Sequence, residues 1–132
     1  MQKLRCRRGN SGQMGIELSV FLRFSPRQRL FSLSRENCSG KVCSFEDIGR
    51  HNALDKVVGK LLIQEIDPGD GVIFTSGRIS ADYLKKIIQM GVTTVVSRAA
   101  VTEAAVLLAE KYGILLLGFV RNHTGNLYAG QL

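Results

Sequence analysis

The sequence predicts an α/β fold, a three-layer sandwich built on a mostly parallel sheet. Three observations carry this expectation. Short runs of continuous apolar residues recur at Val42–Phe45, Gly71–Thr75, Val92–Ser97 and Ile114–Val120. Segments with helical periodicity separate them. Strands that are apolar on both faces need cover on both sides, which helices linking parallel strands provide, with right-handed crossovers.

Each element has a local cause. Val42–Phe45 is a short strand leading into the polar segment Glu46–Lys56. A helix then runs from about Asn52 to Ile66, because Leu54, Val57, Val58, Leu61 and Leu62 recur at helical spacing and form one stripe. Asp67-Pro68-Gly69-Asp70-Gly71 is a turn, and Gly71–Thr75 a buried strand. Ser80 caps a helix that ends at Met90 with Gly91 behind it; Tyr83, Leu84, Ile87 and Ile88 are its apolar stripe. After the strand Val92–Ser97, Thr102 caps a third helix that Gly113 ends. That helix carries Ala104–Ala109, all apolar, and is expected to be buried on most sides. Ile114–Val120 is the most apolar strand. The polar loop Arg121–Asn126 and a short strand around Leu127–Tyr128 follow.

Residues 1–39 show no clean period, so the expected division is a basic irregular leader, 1–39, and an α/β domain, 40–132. The net charge of +7 belongs largely to the leader. Residues 1–40 hold eight basic residues (Lys3, Arg5, Arg7, Arg8, Arg23, Arg27, Arg29, Arg35) against Glu17 and Glu36, a balance of +6. Such an arm is either a solvated tail or a contact for nucleic acid or an acidic surface. Nucleic acid is not the expected partner, since the domain lacks aromatics interleaved with basic residues. No run approaches the ~18 apolar residues of a membrane-spanning helix. Cys6, Cys38 and Cys43 make an odd count without Cys-x-x-Cys spacing, which reads as free thiols in a reducing compartment.

Ligands of such sheets bind outside the carboxyl ends of the strands. Four polar segments fall there: Glu46–Lys56, Ser76–Arg78, Ser97-Arg98 and Arg121–Asn126. They supply Arg50, Arg78, Arg98 and Arg121, whose guanidinium groups match phosphate oxygens bidentately and keep their charge. Helix N-termini after Asn52, Ser80 and Thr102 add backbone N–H groups. The alternative is that the arginines pair with Glu46, Asp47 or Asp55. His51 is either a hydrogen-bonded structural residue or a base; a metal on His51, Asp47 and Asp55 lacks a second His or Cys cluster. Phosphate loops rich in glycine, nucleophile elbows and zinc-deaminase patterns are absent.

The stretch Glu46-Asp47-Ile48-Gly49-Arg50-His51-Asn52-Ala53-Leu54-Asp55-Lys56-Val57-Val58-Gly59 resembles the signature of the FdhD family, the formate dehydrogenase accessory sulfurtransferases. Thr75–Ser80, Val96–Thr102 and Leu116–Arg121 with Tyr128 agree in order and spacing, so the resemblance covers about residues 40–130. It implies a cytidine-deaminase-like fold without the zinc chemistry. It also implies a cytoplasmic homodimer that takes sulfur from a cysteine desulfurase and serves formate dehydrogenase. The cofactor implied is molybdopterin guanine dinucleotide, bound as a client, with GDP as its mimic. The family's cofactor-binding stretch corresponds to Leu117, Gly118, Phe119, Val120, Arg121 and Asn122. Arg50, His51, Ser76 and Arg78 complete the expected site. The family's Cys-x-x-Cys loop, and its Thr-Gly-(Gly or Cys)-x-His segment, are not found in residues 1–45. No catalytic residue is therefore assigned, and Cys38 and Cys43 stand as the nearest thiols.

Overall fold

The structure is a computed structural model that describes residues 2–5, 28–33, 42–69, 71–122 and 124–131. Among these residues seven strands form one sheet: β1 (Gln2–Arg5), β2 (Gln28–Leu33), β3 (Val42–Asp47), β4 (Val72–Thr75), β5 (Thr94–Ser97), β6 (Leu115–Arg121) and β7 (Thr124–Ala129). Their order across the sheet is β1-β7-β6-β5-β4-β2-β3. The helices are α1 (Arg50–Ile63), α2 (Ala81–Gln89) and α3 (Glu103–Tyr112). β4, β5 and β6 pair in parallel, joined by α2 and α3. β1 and β3 run the same way as these three, while β2 and β7 oppose them. The α/β class with a mostly parallel sheet therefore holds.

Two strands come from the stretch expected to be irregular. β2 pairs with both β3 and β4, and β1 pairs with β7. Gln28–Leu33 has no alternation of apolar and polar residues; it is a strand because two neighbours offer it hydrogen bonds. Pattern reading cannot detect a strand whose only signal is its partners.

The three helices make a single layer. Ile73, Val95, Leu116 and Ala129 stand in register on adjacent strands β4, β5, β6 and β7, and so present one row to one face. Against this row pack Ala53, Leu54, Val57 and Leu61 of α1, Tyr83, Leu84 and Ile87 of α2, and Ala105 and Ala109 of α3. Leu54 is wholly buried, which contributes roughly 2 kcal/mol. Of the three layers expected, the described residues supply the sheet and this one helical layer.

Boundaries moved where backbone hydrogen bonds outrank side-chain pattern. α1 starts at Arg50, not Asn52: Gly49 is its N-cap, and the Gly49 carbonyl accepts from the Ala53 N–H at 3.0 Å. It stops at Ile63 rather than Ile66. The Ile66 N–H turns back to the Leu61 carbonyl, with Glu65 between them at φ 52°. Ser80 and Thr102 cap α2 and α3 as expected, accepting from the Tyr83 and Ala105 N–H groups. Gly113 takes the left-handed conformation behind α3. α3 itself is less buried than its composition suggests. Only Ala105 and Ala109, one turn apart, are fully covered, while Leu107 is 62% exposed. Its two alanines let it lie close to the sheet, and α2 is the helix beside it. The loop expected at Arg121–Asn126 is a hairpin instead, in which β6 runs through Arg121 and β7 begins at Thr124.

Candidate functional site

The carboxyl ends of β4, β5 and β6 meet the N-terminal ends of α1 and α2. The β4–α2 and β5–α3 loops run side by side. The Arg98 N–H donates to the Thr75 carbonyl at 3.0 Å, and Ile79 forms a parallel bridge with Val101. Ser97, wholly buried, fastens the two loops through its side chain. Its hydroxyl donates to the Gly77 carbonyl at 2.8 Å and accepts the Ala99 N–H at 2.9 Å. The β6 end joins this pair: the Phe119 N–H donates to the Ala99 carbonyl at 3.2 Å, and Arg121 Nη2 reaches the Arg98 carbonyl at 3.4 Å.

The β6 end is shaped by an irregularity. Between Gly118 and Arg121 it carries one residue more than β7 opposite, with Phe119 at φ 52° in the left-handed region. A phenylalanine there costs ~1–2 kcal/mol of backbone strain, and the ring remains 43% exposed. Strain of this kind concentrates at functional sites. Gly118 is required by close approach: a Cβ on it would lie 2.7 Å from Tyr128 Cε2 and 2.8 Å from Val101 Cγ2.

The α1 end enters from the other side. No side chain caps α1; the Asp47 carboxylate instead accepts the N–H of Gly49 itself at 2.9 Å. The N–H groups of its first turn thus face the rim without a side-chain cap, an arrangement that favours an anion. Arg50, half-buried at this turn, has its Nε buried without a hydrogen-bond partner. His51 lies edge-on to Tyr83, with ring centroids 5.4 Å apart at 79°. Burial pushes the Tyr83 phenol up to about 12; its hydrogen bond with Thr75 and the charge of Arg50 act the other way. The phenol is therefore neutral at physiological pH and donates to Thr75 Oγ1 at 3.5 Å.

Asp47 and Asp55 of the signature stretch engage lysines. Asp47 holds Lys56 at 2.6 Å, and Lys86 of α2 sits 2.8 Å from Asp55 of α1. The Lys56 hydrogen bond first, then that of the Gly49 N–H, hold the Asp47 carboxyl at about 2. Of the pairings kept open above for Glu46, Asp47 and Asp55, the two aspartates hold lysines rather than the rim arginines. Among the described residues, no three His, Cys, Asp or Glu side chains are placed to hold a metal ion.

Of the ten expected site residues, Arg50 and His51 bring α1 to the rim, and Ser76 follows the end of β4. Gly118, Phe119 and Arg121 form the β6 end beside Ala99 and Arg98. Leu117 is buried in the strand below, Val120 is half-buried, and Asn122 turns the hairpin at φ 48°. Arg78 is exposed. The expected list lacked the residues that bind these parts together: Thr75, Tyr83 and Ser97. Among the described residues, Thr75 and Ser97 are the buried polar side chains of the core. Their signal was available as a hydroxyl residue closing each of two apolar strands. Tyr83 was hidden within an ordinary helical stripe. Cys6, Cys38 and His123 lie outside the described residues, as does the side chain of Cys43.

The model of the FdhD/NarQ family matches residues 34–132. A sulfur carrier protein FdhD of Bacillus licheniformis is 46% identical over 82 residues, 62% of this chain and 31% of the relative. A protein FdhD of Methanocaldococcus jannaschii is 43% identical over 88 residues, 66% of this chain and 39% of the relative. A crystal structure described as that of a formate dehydrogenase accessory protein from Desulfotalea psychrophila superposes with a TM-score of 0.68 at 26% identity. It covers 78% of this chain and 44% of the other. The chain thus spans roughly a third of the length of these two relatives.

Proposed function

The chain belongs to the FdhD/NarQ family, and from that premise we propose that it is the cofactor-binding part of a formate dehydrogenase accessory protein. In this reading it holds molybdopterin guanine dinucleotide as a client at the strand-end rim while sulfur is delivered to it. The observation that carries the reading is Arg50: a guanidinium with a buried, unpartnered Nε at a helix N-terminus that no side chain caps. A buried donor without a partner costs ~1–3 kcal/mol, and a phosphate oxygen would satisfy it together with the α1 N–H groups. Arg121 and the exposed Phe119 ring, on the far side of the same rim, suit a second phosphate and a flat purine.

The client supplies the metal chemistry. This chain's residues bind and orient it: Arg50 and Arg121 neutralise phosphate charge, and Ser97 keeps the two loops at fixed spacing. The sulfur-accepting thiol is assigned to none of the described side chains. A cysteine desulfurase as donor, formate dehydrogenase as recipient, a homodimer and a cytoplasmic setting belong to the same proposal. Among the described residues no helix is long and apolar enough to cross a membrane.

Calorimetric titration with GDP tests the binding step. Saturable binding is expected, weakened at least tenfold, about 1.4 kcal/mol, in Arg50→Met and in Arg121→Met. No heat from a folded sample, or full affinity in both variants, would sink the proposal. Incubation with a desulfurase and cysteine, read by mass spectrometry, shows separately whether Cys38 or Cys43 gains a sulfur atom.

A further inference from the structure

Tyr83 occupies a position that core packing alone does not explain. Its side chain is wholly buried in α2, between α1 and the end of β4. Its ring meets His51 of α1, while its hydroxyl reaches Thr75 Oγ1, which also accepts the Gly77 N–H at 3.1 Å. One side chain therefore touches both the polar tip of α1 and the strand end that launches the Ser76–Arg78 loop.

The energetics argue against a purely structural role. Burying a hydroxyl costs free energy unless a good hydrogen bond compensates it. Here the bond is 3.5 Å long, at the edge of what counts as one. Thr75 Oγ1 already has the shorter Gly77 bond. A phenylalanine would fill the same space without the desolvation cost. A polar group kept where an apolar one would stabilise the fold better is the mark of a functional constraint.

We propose that Tyr83 is a positioning residue, which contacts no ligand but holds His51 and the Ser76–Arg78 loop in one fixed relation so that both meet the same anionic ligand. The inference rests on the binding reading above and deepens it. The ring fixes where the His51 imidazole sits, and the hydroxyl lies against Thr75 Oγ1, the acceptor that closes the Thr75–Gly77 turn. With either contact gone, the two walls of the site can drift independently.

The test separates stability from binding. In Tyr83→Phe the thermal midpoint is expected to stay level or rise, while GDP affinity falls about tenfold. A drop in midpoint with unchanged affinity would mark Tyr83 as core only and overturn the inference. NMR gives a readout independent of GDP. The chain has two histidines, His51 and His123, so His123→Gln identifies the His51 imidazole signal. Tyr83→Leu should abolish its ring-current shift, and Tyr83→Phe should move the Gly77 amide. A His51 signal unmoved in Tyr83→Leu, or an unmoved Gly77 amide in Tyr83→Phe, also overturns it. Should Tyr83→Leu not fold, the Gly77 amide in Tyr83→Phe decides alone. Absence of GDP binding in the unmodified protein would refute the proposed function, and the NMR measurements would still decide the positioning.

Discussion

Replacing Ser97 by alanine removes one oxygen and should cost far more than its size suggests. The hydroxyl serves two backbone groups on different loops, the Gly77 carbonyl at 2.8 Å and the Ala99 N–H at 2.9 Å. Both lose their partner in Ser97→Ala. A buried group left unsatisfied costs ~1–3 kcal/mol. Gly77 is buried and should sit in the upper part of that range, about 2–3 kcal/mol, whereas Ala99 is half-buried and reachable by water, so it adds only about 0–1 kcal/mol. The sum is about 2–4 kcal/mol. The vacated space is smaller than a water molecule, so solvent cannot restore the bond to the buried Gly77 carbonyl. For a domain of this size about 4 °C is lost per kcal/mol, and the thermal midpoint should fall by roughly 8–16 °C. Urea unfolding followed by circular dichroism should show a lower midpoint at unchanged slope, which marks lost stability rather than an altered unfolded state. The Ala99 amide should exchange with solvent faster than in the parent. A loss below about 0.5 kcal/mol, the range of an ordinary surface substitution, would refute the assignment of Ser97 as the tie between the two loops.

Three further outcomes follow from the same geometry. Gly118→Ala places a Cβ within 2.8 Å of both Tyr128 and Val101 and should destabilise by ~1–3 kcal/mol, measured by urea titration; a neutral result would mean that the β6 end shifts freely. Glu65→Gly relieves a left-handed backbone at φ 52° and should raise stability by ~1 kcal/mol; a lowered thermal midpoint would contradict that. Asp47 ionises at about 2 in the folded chain against an ordinary 3.8. Its contribution is therefore complete above about pH 4 and disappears as pH falls towards 2. The acid limb of a stability–pH profile should flatten in Asp47→Asn over that window, and an unchanged limb would place the acid sensitivity elsewhere.

Where a residue's role is local, the sequence displayed it. Ser80 and Thr102 cap because a hydroxyl before an amphipathic run meets the N–H groups of the first turn. Gly113 ends α3 because the left-handed position behind it suits glycine. The apolar runs β4, β5 and β6, and the helices between them, were legible by period alone. The convergence of Arg50, Ser76 and Arg121 on one rim followed from topology, since parallel strands bring their carboxyl ends to one edge. The signature stretch pointed to the family without any coordinates.

Roles that depend on distant partners were decided by tertiary structure. Gln28–Leu33 is a strand through its hydrogen bonds to β3 and β4, which no pattern within six residues encodes. Tyr83 reads as one more apolar residue of α2 until α1 and β4 close around it. Ser97 reads as the last residue of a strand until Gly77, twenty positions earlier, presents its carbonyl. Asp47 and Asp55 could have paired with arginines, yet packing brought Lys56 and Lys86 to them. By itself the sequence determined the three helices, the apolar strands between them and which edge of the sheet carries the polar residues, because capping, periodicity and strand direction are short-range or topological. The tertiary structure decided which polar groups are tied up and which, like Arg50, keep a donor for a ligand. Pairing is a competition among groups that only the folded chain brings within reach of one another.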